Sequence, residues 1–394
     1  MLADFISSIA PIAQSDRVPG FEPGGYRFKS CSVHVFYSMN DLSPISIFQC
    51  TQKSYAEAVA ARLGRGKQHA MLLYAKWFQE GTLEGLRETV EPQALKLVDE
   101  MVQITDFELP GVGGEKLEGE TKKFLLRFSD GLESESVLIP MESGTTLCLS
   151  SQVGCRMGCA FCETGRMGLV RHLKREEIVA QVFYARFILG SAVRNIVFMG
   201  MGEPFDNYDE VMGAVRILTE APGLGFGPSR ITISTSGRVD GIYRMIEDAD
   251  PAINLAVSVN APSDEVRTRI MPVNRKWNMA ELKKAMLDYC AHPRREIFAE
   301  YVLIQGVNDS LEQADMLADY LRGLRVKVNL IPYNPQSKDR FSPPTDEVRE
   351  NFLKRMREQG YHTLLRGAKG QKIMAACGQL GNVQLRKSLR QSQS

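Results

Sequence analysis

LCLSSQVGCRMGCAFC, residues 147–162, holds four of the chain's eight cysteines, three of them spaced as Cys155-x3-Cys159-x2-Cys162. The apolar run TTLCLSS (145–151) leads directly into this loop, so one turn at the end of a strand aims three thiols at a single centre. Three cysteines cannot pair evenly, and eight in 394 residues is too sparse for a disulfide scaffold. Zinc favours four ligands at paired CxxC spacing, whereas a four-iron cluster held by three thiolates keeps one iron open to bind a substrate group. Buried inert cysteines and zinc are the competing readings. The spacing favours an iron–sulfur cluster, [4Fe-4S], with Cys155, Cys159 and Cys162 as ligands.

On both sides of this loop the pattern organises itself. Downstream, short apolar runs alternate with helical stretches: NIVFMG (195–200), RITISTS (230–236), INLAVSV (253–259), EIFAEYVLI (296–304), VKVNLIPY (326–333) and YHTLLRG (361–367). Repeated β-then-α units imply an α/β fold with a parallel sheet or barrel whose ligands sit at the carboxyl ends of the strands. Upstream, KKFLLRF (122–128) and ESESVLIP (133–140) flank the turn SDGL, which predicts a β-hairpin, with PGVGG (110–114) as a boundary before it. Leu72, Leu73, Trp77, Phe78, Leu83, Leu86, Leu95, Leu97, Val98 and Met101 recur at helical spacing. The expected organisation is an N-terminal extension (1–61) of unassigned role, a helical accessory domain (62–108), a hairpin linker (109–140), a catalytic core (141–367) and a C-terminal segment (368–394). The extension includes short strands expected around SCSVHVFYSM (30–39).

Composition excludes several classes. Apolar residues make up 44% and charged residues 24%, ordinary globular usage that leaves no room for a disordered or collagenous chain. Lys plus Arg (48) against Asp plus Glu (47) gives +1, so nucleic-acid binding has to come from a local patch. One such patch is the tail, where Arg366, Lys369, Lys372, Arg386, Lys387 and Arg390 occur with no acidic residue after 359. Arg62, Arg65 and Lys67 form a second. No window approaches the roughly 18 apolar residues of a membrane span, and the opening MLADFISSIAPIA lacks the basic start of a secretory signal. A cytoplasmic protein with no membrane partner is expected.

CxxxCxxC with Phe161 before its last cysteine, after the first strand of a β/α array, resembles the radical S-adenosylmethionine superfamily. That resemblance implies a partial (β/α)6 barrel in which the open iron chelates S-adenosylmethionine and a reduced cluster cleaves it to a 5′-deoxyadenosyl radical, with a cellular electron donor as partner. Cofactor contacts are expected from GMGEP (200–204), through Gly202 and Glu203; from Ser234 in STSG; from Ser258, Val259 and Asn260; and from Asn334 in IPYNP. Taken together, LCLSSQVGCRMGCAFC, FMGMGEP, STSG, MPVNRKWN, NLIPYNP and AACGQL occur in the order and approximate spacing of the RlmN/Cfr family of radical S-adenosylmethionine RNA (adenine) methyltransferases. GRGKQHAMLLYAKWF (64–78) looks like that family's N-terminal helical domain.

An adenine ring carbon at position 2 or 8 is electrophilic, so transferring a methyl cation to it has the wrong polarity. The family's route, as the resemblance implies, methylates a cysteine first, abstracts a hydrogen from that methyl, and adds the resulting radical to the base. Cys377 in AACGQL matches the methyl-carrying cysteine. Cys148 matches the second cysteine, which releases the product through a transient disulfide. Glu135 aligns with the glutamate given a proton-acceptor role. The implied substrate is an adenine in 23S ribosomal RNA, with transfer RNA as a second candidate and carbon 2 favoured over carbon 8. One departure stands out, Ser258-Val259-Asn260 where the family reads Ser-Leu-His, because asparagine keeps a donor and an acceptor but does not titrate. Cys31, Cys50 and Cys290 lack such spacing and are read as structural or incidental. Rival readings are another radical enzyme, such as a protein activase, which needs neither Cys148 nor Cys377, and a non-catalytic iron–sulfur or zinc protein that binds RNA.

Overall fold

The computed structural model describes residues 43–248, 253–336, 340–367 and 369–381. SCSVHVFYSM, Cys31 and the basic residues Arg386, Lys387 and Arg390 lie outside them. Apart from Ser43, the described residues belong to one compact unit.

The chain begins with β1 (Ile45–Ser46), α1 (Gln52–Leu63), α2 (Lys67–Glu80), α3 (Leu95–Gln103) and β2 (Thr105–Asp106), which pairs with β1. Helical structure thus starts at Gln52, before the apolar spacing of 62–108 becomes visible, because Thr51 caps the helix by accepting from Ser54 N. Leu73, Tyr74, Trp77 and Phe78 on α2 are buried, while Leu72 is exposed. Trp77 stacks on Phe183 of α5 (Arg175–Phe183) at 4.9 Å, and Phe48 meets the same ring edge-on at 5.2 Å. Such aromatic pairs add about 1 kcal/mol each beyond their burial. They fix the helical segment to the outside of the core.

Next come β3 (Gly111–Glu118), β4 (Thr121–Arg127) and β5 (Glu133–Ile139), all antiparallel. The expected hairpin is therefore a three-stranded meander. Its first strand is polar and largely exposed, so it carries no hydrophobic alternation to read. The meander continues into the main sheet, where β5 pairs with β6 (Thr145–Cys148).

From β6 the chain runs through β7 (Gln152–Val153), α4 (Glu163–Met167), β8 (Arg171–His172), α5, β9 (Val193–Phe198), α6 (Tyr208–Thr219), β10 (Ile231–Thr235), α7 (Val239–Glu247), β11 (Asn254–Ser258), α8 (Asp264–Ile270), α9 (Met279–Cys290), β12 (Ile297–Leu303), α10 (Leu311–Leu321), β13 (Val326–Pro332), α11 (Asp346–Glu358) and β14 (Thr363–Leu365). β6 and β9–β14 are mutually parallel, each at one of the seven apolar runs. The sheet order is β14-β13-β12-β11-β10-β9-β6-β5-β4-β3, with β14 and β3 as the end strands among the described residues. This is the expected partial barrel, six β/α strands plus a short seventh, extended by the meander.

Register decides which side chains share the inner face. Cys148 is opposite Val137 and Val197, Val197 opposite Thr232, Ser258 opposite Glu300, and Glu300 opposite Asn329. With a side-chain period of two, Glu135, Cys148, Ser234, Ser258 and Glu300 all point to one face. Chemistry-bearing residues separated by up to 165 positions are thereby gathered on one surface.

Candidate active site

The cysteine loop leaves β6 and folds back against the segment after α8: Ala160 N donates to Ile270 O at 2.8 Å, and Phe161 packs with Ile270, Met271 and Tyr333. A pocket of about 150 Å3 opens where this loop meets the carboxyl ends of the strands. Cys155, Cys159, Cys162, Gly202, Glu203, Ser234, Ser258, Asn260, Asn334 and Cys377 all line it. Of the expected site residues, Cys148, Val259 and Glu135 do not. Cys148 is buried in the sheet, Val259 is wholly in the core, and Glu135 faces a separate cavity of about 330 Å3 walled by Arg127, Met167 and Met201.

Glu203 is held from three directions. Its N–H donates to Gln152 Oε1 at 2.9 Å, its Oε2 accepts from Ser236 N at 2.7 Å, and its Oε1 accepts from Phe205 N at 3.2 Å. Burial nevertheless pushes its carboxyl above the usual range, because these neutral donors only partly offset the lost water. Gly202 sits at φ +108°, and a Cβ there would lie 2.7 Å from both Gln152 Cβ and Ser151 Oγ. Gly202→Ala is expected to destabilise the fold by about 2 kcal/mol or more, through strain and overpacking together. Urea unfolding checks this, and an unchanged midpoint would show that the loop moves aside freely.

Burial also pushes the three loop thiols up. Arg267 opposes this at Cys159, and hydrogen bonds from Thr164 and Gly165 oppose it at Cys162. Arg267 is fully buried and forms no ion pair among the described residues. Its guanidinium donates to Val259 O, Ser258 O, Ser236 O and Asn274 Oδ1, tying the ends of β10 and β11 to MPVN (271–274). Among the described residues no three His, Cys, Asp or Glu side chains gather closely enough to share one metal ion. The three thiols line one pocket, and in a four-iron cluster each such thiolate would bind a different iron. Two buried polar atoms in the pocket lining, Ser236 Oγ and Glu300 Oε2, have no hydrogen-bond partner among the described residues. Three thiols around a pocket that also holds orphaned polar atoms fit a cluster with a polar cofactor.

Two expected cofactor contacts are already committed to the protein. Asn260, at φ +56°, accepts from Val302 N at 2.7 Å and donates to Met271 Sδ at 3.4 Å. Asparagine tolerates this left-handed backbone, and its side chain here joins β11 to β12. Asn334 donates to Cys377 O at 3.0 Å and accepts from Gln371 Nε2 at 2.8 Å, so it anchors the loop that carries Cys377. That loop is further held by Gly378 O, which accepts from Glu163 N at 2.7 Å, and by Gln379 Oε1, which accepts from Ala376 N at 3.2 Å. Gly378, at φ +83°, would carry a Cβ only 3.1 Å from Phe161 O. The thiol of Cys377 is open to the pocket. Burial in the surrounding protein pushes it up, Glu300 adds to this, and Arg366 opposes it. Cys148 and Cys377 are both free thiols, and burial followed by the nearby Cys377 pushes Cys148 up as well.

Sequence reasoning missed Glu300, Arg267 and Lys123. Glu300 had a signal, a lone carboxylate inside the apolar run IFAEYVLI. Arg267 and Lys123 had none, since each sits among ordinary surface-like charges.

The Radical SAM superfamily profile matches residues 149–321, from the end of β6 through α10. The crystal structure of a radical SAM methyltransferase from Sphaerobacter thermophilus superposes with a TM-score of 0.79 at 39% identity, covering 85% of this chain and 99% of that one. Fold and site thus define a radical SAM methyltransferase. A protein of Protochlamydia amoebophila named probable dual-specificity RNA methyltransferase RlmN 1 is 53% identical over 346 residues, 88% of this chain and 96% of its own length. The dual-specificity RNA methyltransferase RlmN of Syntrophus aciditrophicus is 39% identical over 338 residues, 84% of this chain and 95% of its own length. The chain belongs to the RlmN family of radical SAM RNA methyltransferases and is an enzyme. Among the described residues no helix is long and apolar enough to cross a membrane.

Proposed function

We propose that this enzyme methylates a ring carbon of an adenine in 23S ribosomal RNA, carbon 2 in preference to carbon 8, with transfer RNA as a second substrate. In this reading Cys155, Cys159 and Cys162 hold a [4Fe-4S] cluster and Glu203 accepts from the ammonium of S-adenosylmethionine. Bound together, cluster and cofactor supply one-electron reduction and, from it, abstraction of an unactivated hydrogen atom. The remaining chemistry belongs to the chain. Cys377 takes a methyl group on sulfur and presents it to the base. Glu135 accepts the proton lost from the ring carbon. Cys148, giving up its thiol proton, then attacks Cys377 Sγ; the sulfur–carbon bond breaks with its electron pair left on the methylene carbon, which takes up a proton and becomes the methyl group of the base, and the two cysteines are left as a disulfide that cellular thiols reduce. Such a cycle suits the reducing cytoplasm, which also supplies the electron donor.

The observation that carries this reading is the position of Cys377. A residue 215 positions beyond Cys162 brings an open thiol into the pocket ringed by the three-cysteine loop. A protein activase has no use for that thiol. For RNA, Lys372 and Lys369 lie just before Cys377, and Lys67 lies at the start of α2. Arg65 is partly neutralised by Glu100 at 3.3 Å.

The test is anaerobic reconstitution with iron and sulfide, then incubation with methyl-labelled S-adenosylmethionine, a reductant and unmodified ribosomal RNA. Digested nucleosides are analysed by mass spectrometry beside a Cys377→Ala control. A methylated adenosine absent from the control is expected, and its identity chooses the carbon. Cofactor cleavage without methyladenosine on ribosomal or transfer RNA would overturn the reading.

A further inference from the structure

Among the described residues, Glu300 is the one carboxylate on the inner face of the parallel strands that neither the cluster nor the methyl-transfer chemistry above uses. It is 4% exposed, lines the pocket, and is only half satisfied: Oε1 accepts from Asn329 Nδ2 at 2.8 Å, while Oε2 has no partner among the described residues. A buried carboxylate oxygen left without a donor costs stability, so a donor from outside the chain is the natural occupant of that position. We propose that Glu300 Oε2 accepts a hydrogen bond from a ribose hydroxyl of S-adenosylmethionine and so positions the nucleoside end of the cofactor.

The strand order says which end of the cofactor it meets. Glu203, taken above as the partner of the ammonium, follows β9, and Glu300 is on β12, three strand steps away. At 4.7–4.9 Å per step that is roughly 14 Å, too far for both carboxylates to serve the amino-acid end and about the reach of a nucleoside attached to it. Within the nucleoside, the ribose is singled out by Cys377. Its methyl group has to meet the 5′ carbon of the ribose, and Glu300 lines the same pocket as the Cys377 thiol, which burial and then Glu300 push up. Ser258, directly opposite Glu300 in the β11–β12 register, adds a hydroxyl on the same face. A carboxylate is a common acceptor for ribose hydroxyls because it accepts without competing donors of its own. This inference rests on the reading of Cys377 as the methyl carrier.

The experiment is equilibrium binding to the cluster-loaded enzyme, without reductant or RNA, of S-adenosylmethionine and of its 2′-deoxy, 3′-deoxy and purine-6-deaminated analogues. Wild type, Glu300→Gln and Glu300→Ala are compared, with the cluster absorbance confirming loading. Wild type is expected to bind at least one deoxy analogue about tenfold more weakly than the parent, as for loss of one charged hydrogen bond. In Glu300→Gln that discrimination should shrink to about threefold or less, and in Glu300→Ala it should vanish, while discrimination against the purine analogue stays as in wild type. Should Glu300→Ala fail to fold, the isosteric glutamine variant carries the comparison. Undiminished discrimination in a loaded Glu300→Gln enzyme, or a wild type indifferent to both hydroxyls, overturns the proposal. So does lost discrimination confined to the purine analogue, which would put the adenine amine at Oε2. Failure of the Cys377 reading would show up separately, as absence of a methylated Cys377 peptide in wild-type enzyme incubated with labelled cofactor.

Discussion

A Cys148→Ala enzyme is expected to stop after one turnover with RNA covalently attached through Cys377. Cys148 ends β6, buried in the sheet, and its thiol is pushed up by burial first and by Cys377 second. In the proposed cycle it is the group that attacks the Cys377 sulfur, and its burial shields it from reagents in solvent. Alanine deletes one sulfur atom from a well-packed strand, a loss of about 1–2 kcal/mol that leaves the fold intact. Its chemical consequence is much larger. Without a thiol to displace it, the sulfur–carbon bond to the base persists, and multiple turnover should fall on the order of a thousandfold or more, as for removal of any essential nucleophile. A denaturing gel after incubation should show a nuclease-sensitive band of higher mass, and peptide mass spectrometry should put the nucleotide on Cys377. Turnover within tenfold of wild type, with no such band, would mean that the adduct resolves without Cys148.

How much of this was legible in the sequence differs by element. The seven parallel strands could be read because buried parallel strands are continuous apolar runs, and the cysteine loop because its spacing survives without any tertiary information. β3 was missed, since Gly111–Glu118 carries no apolar alternation and its PGVGG start reads as a break. The expected site residues converge on one pocket in ten cases, but Asn260 and Asn334 spend their side chains on the protein rather than facing the pocket freely. Lysine gives the clearest limit. Lys122 and Lys123 are adjacent and chemically identical, yet the side chain of Lys122 is 32% exposed and that of Lys123 only 5%. What buries Lys123 is a carboxylate 12 positions away and a carbonyl 251 positions away. No local pattern encodes that.

Lys123→Met should therefore be one of the most damaging single substitutions outside the cysteines. Lys123 Nζ donates to Glu135 Oε2 at 3.3 Å and to Met374 O at 3.1 Å, and Glu135 Oε2 also accepts from Gly381 N at 3.2 Å. One buried ion pair thus clips both flanks of the Cys377 loop. Met374 needs the clip because it is a non-glycine residue at φ +55°, a conformation costing about 1 kcal/mol or more. Removing the ammonium leaves Glu135 buried without its partner, and breaking a buried pair in this way costs about 3–5 kcal/mol. Urea unfolding of Lys123→Met should show a loss of that size, and iodoacetamide should label Cys377 faster as its loop loosens. The double variant Lys123→Met/Glu135→Leu separates packing from chemistry, because replacing both members of a buried pair with apolar residues is often neutral. It should regain most of the lost stability and still fail to methylate RNA if Glu135 is the proton acceptor proposed above. If the double variant recovers methylation along with stability, Glu135 acts only as a strut for the Cys377 loop, and the proton from the base must leave by another group.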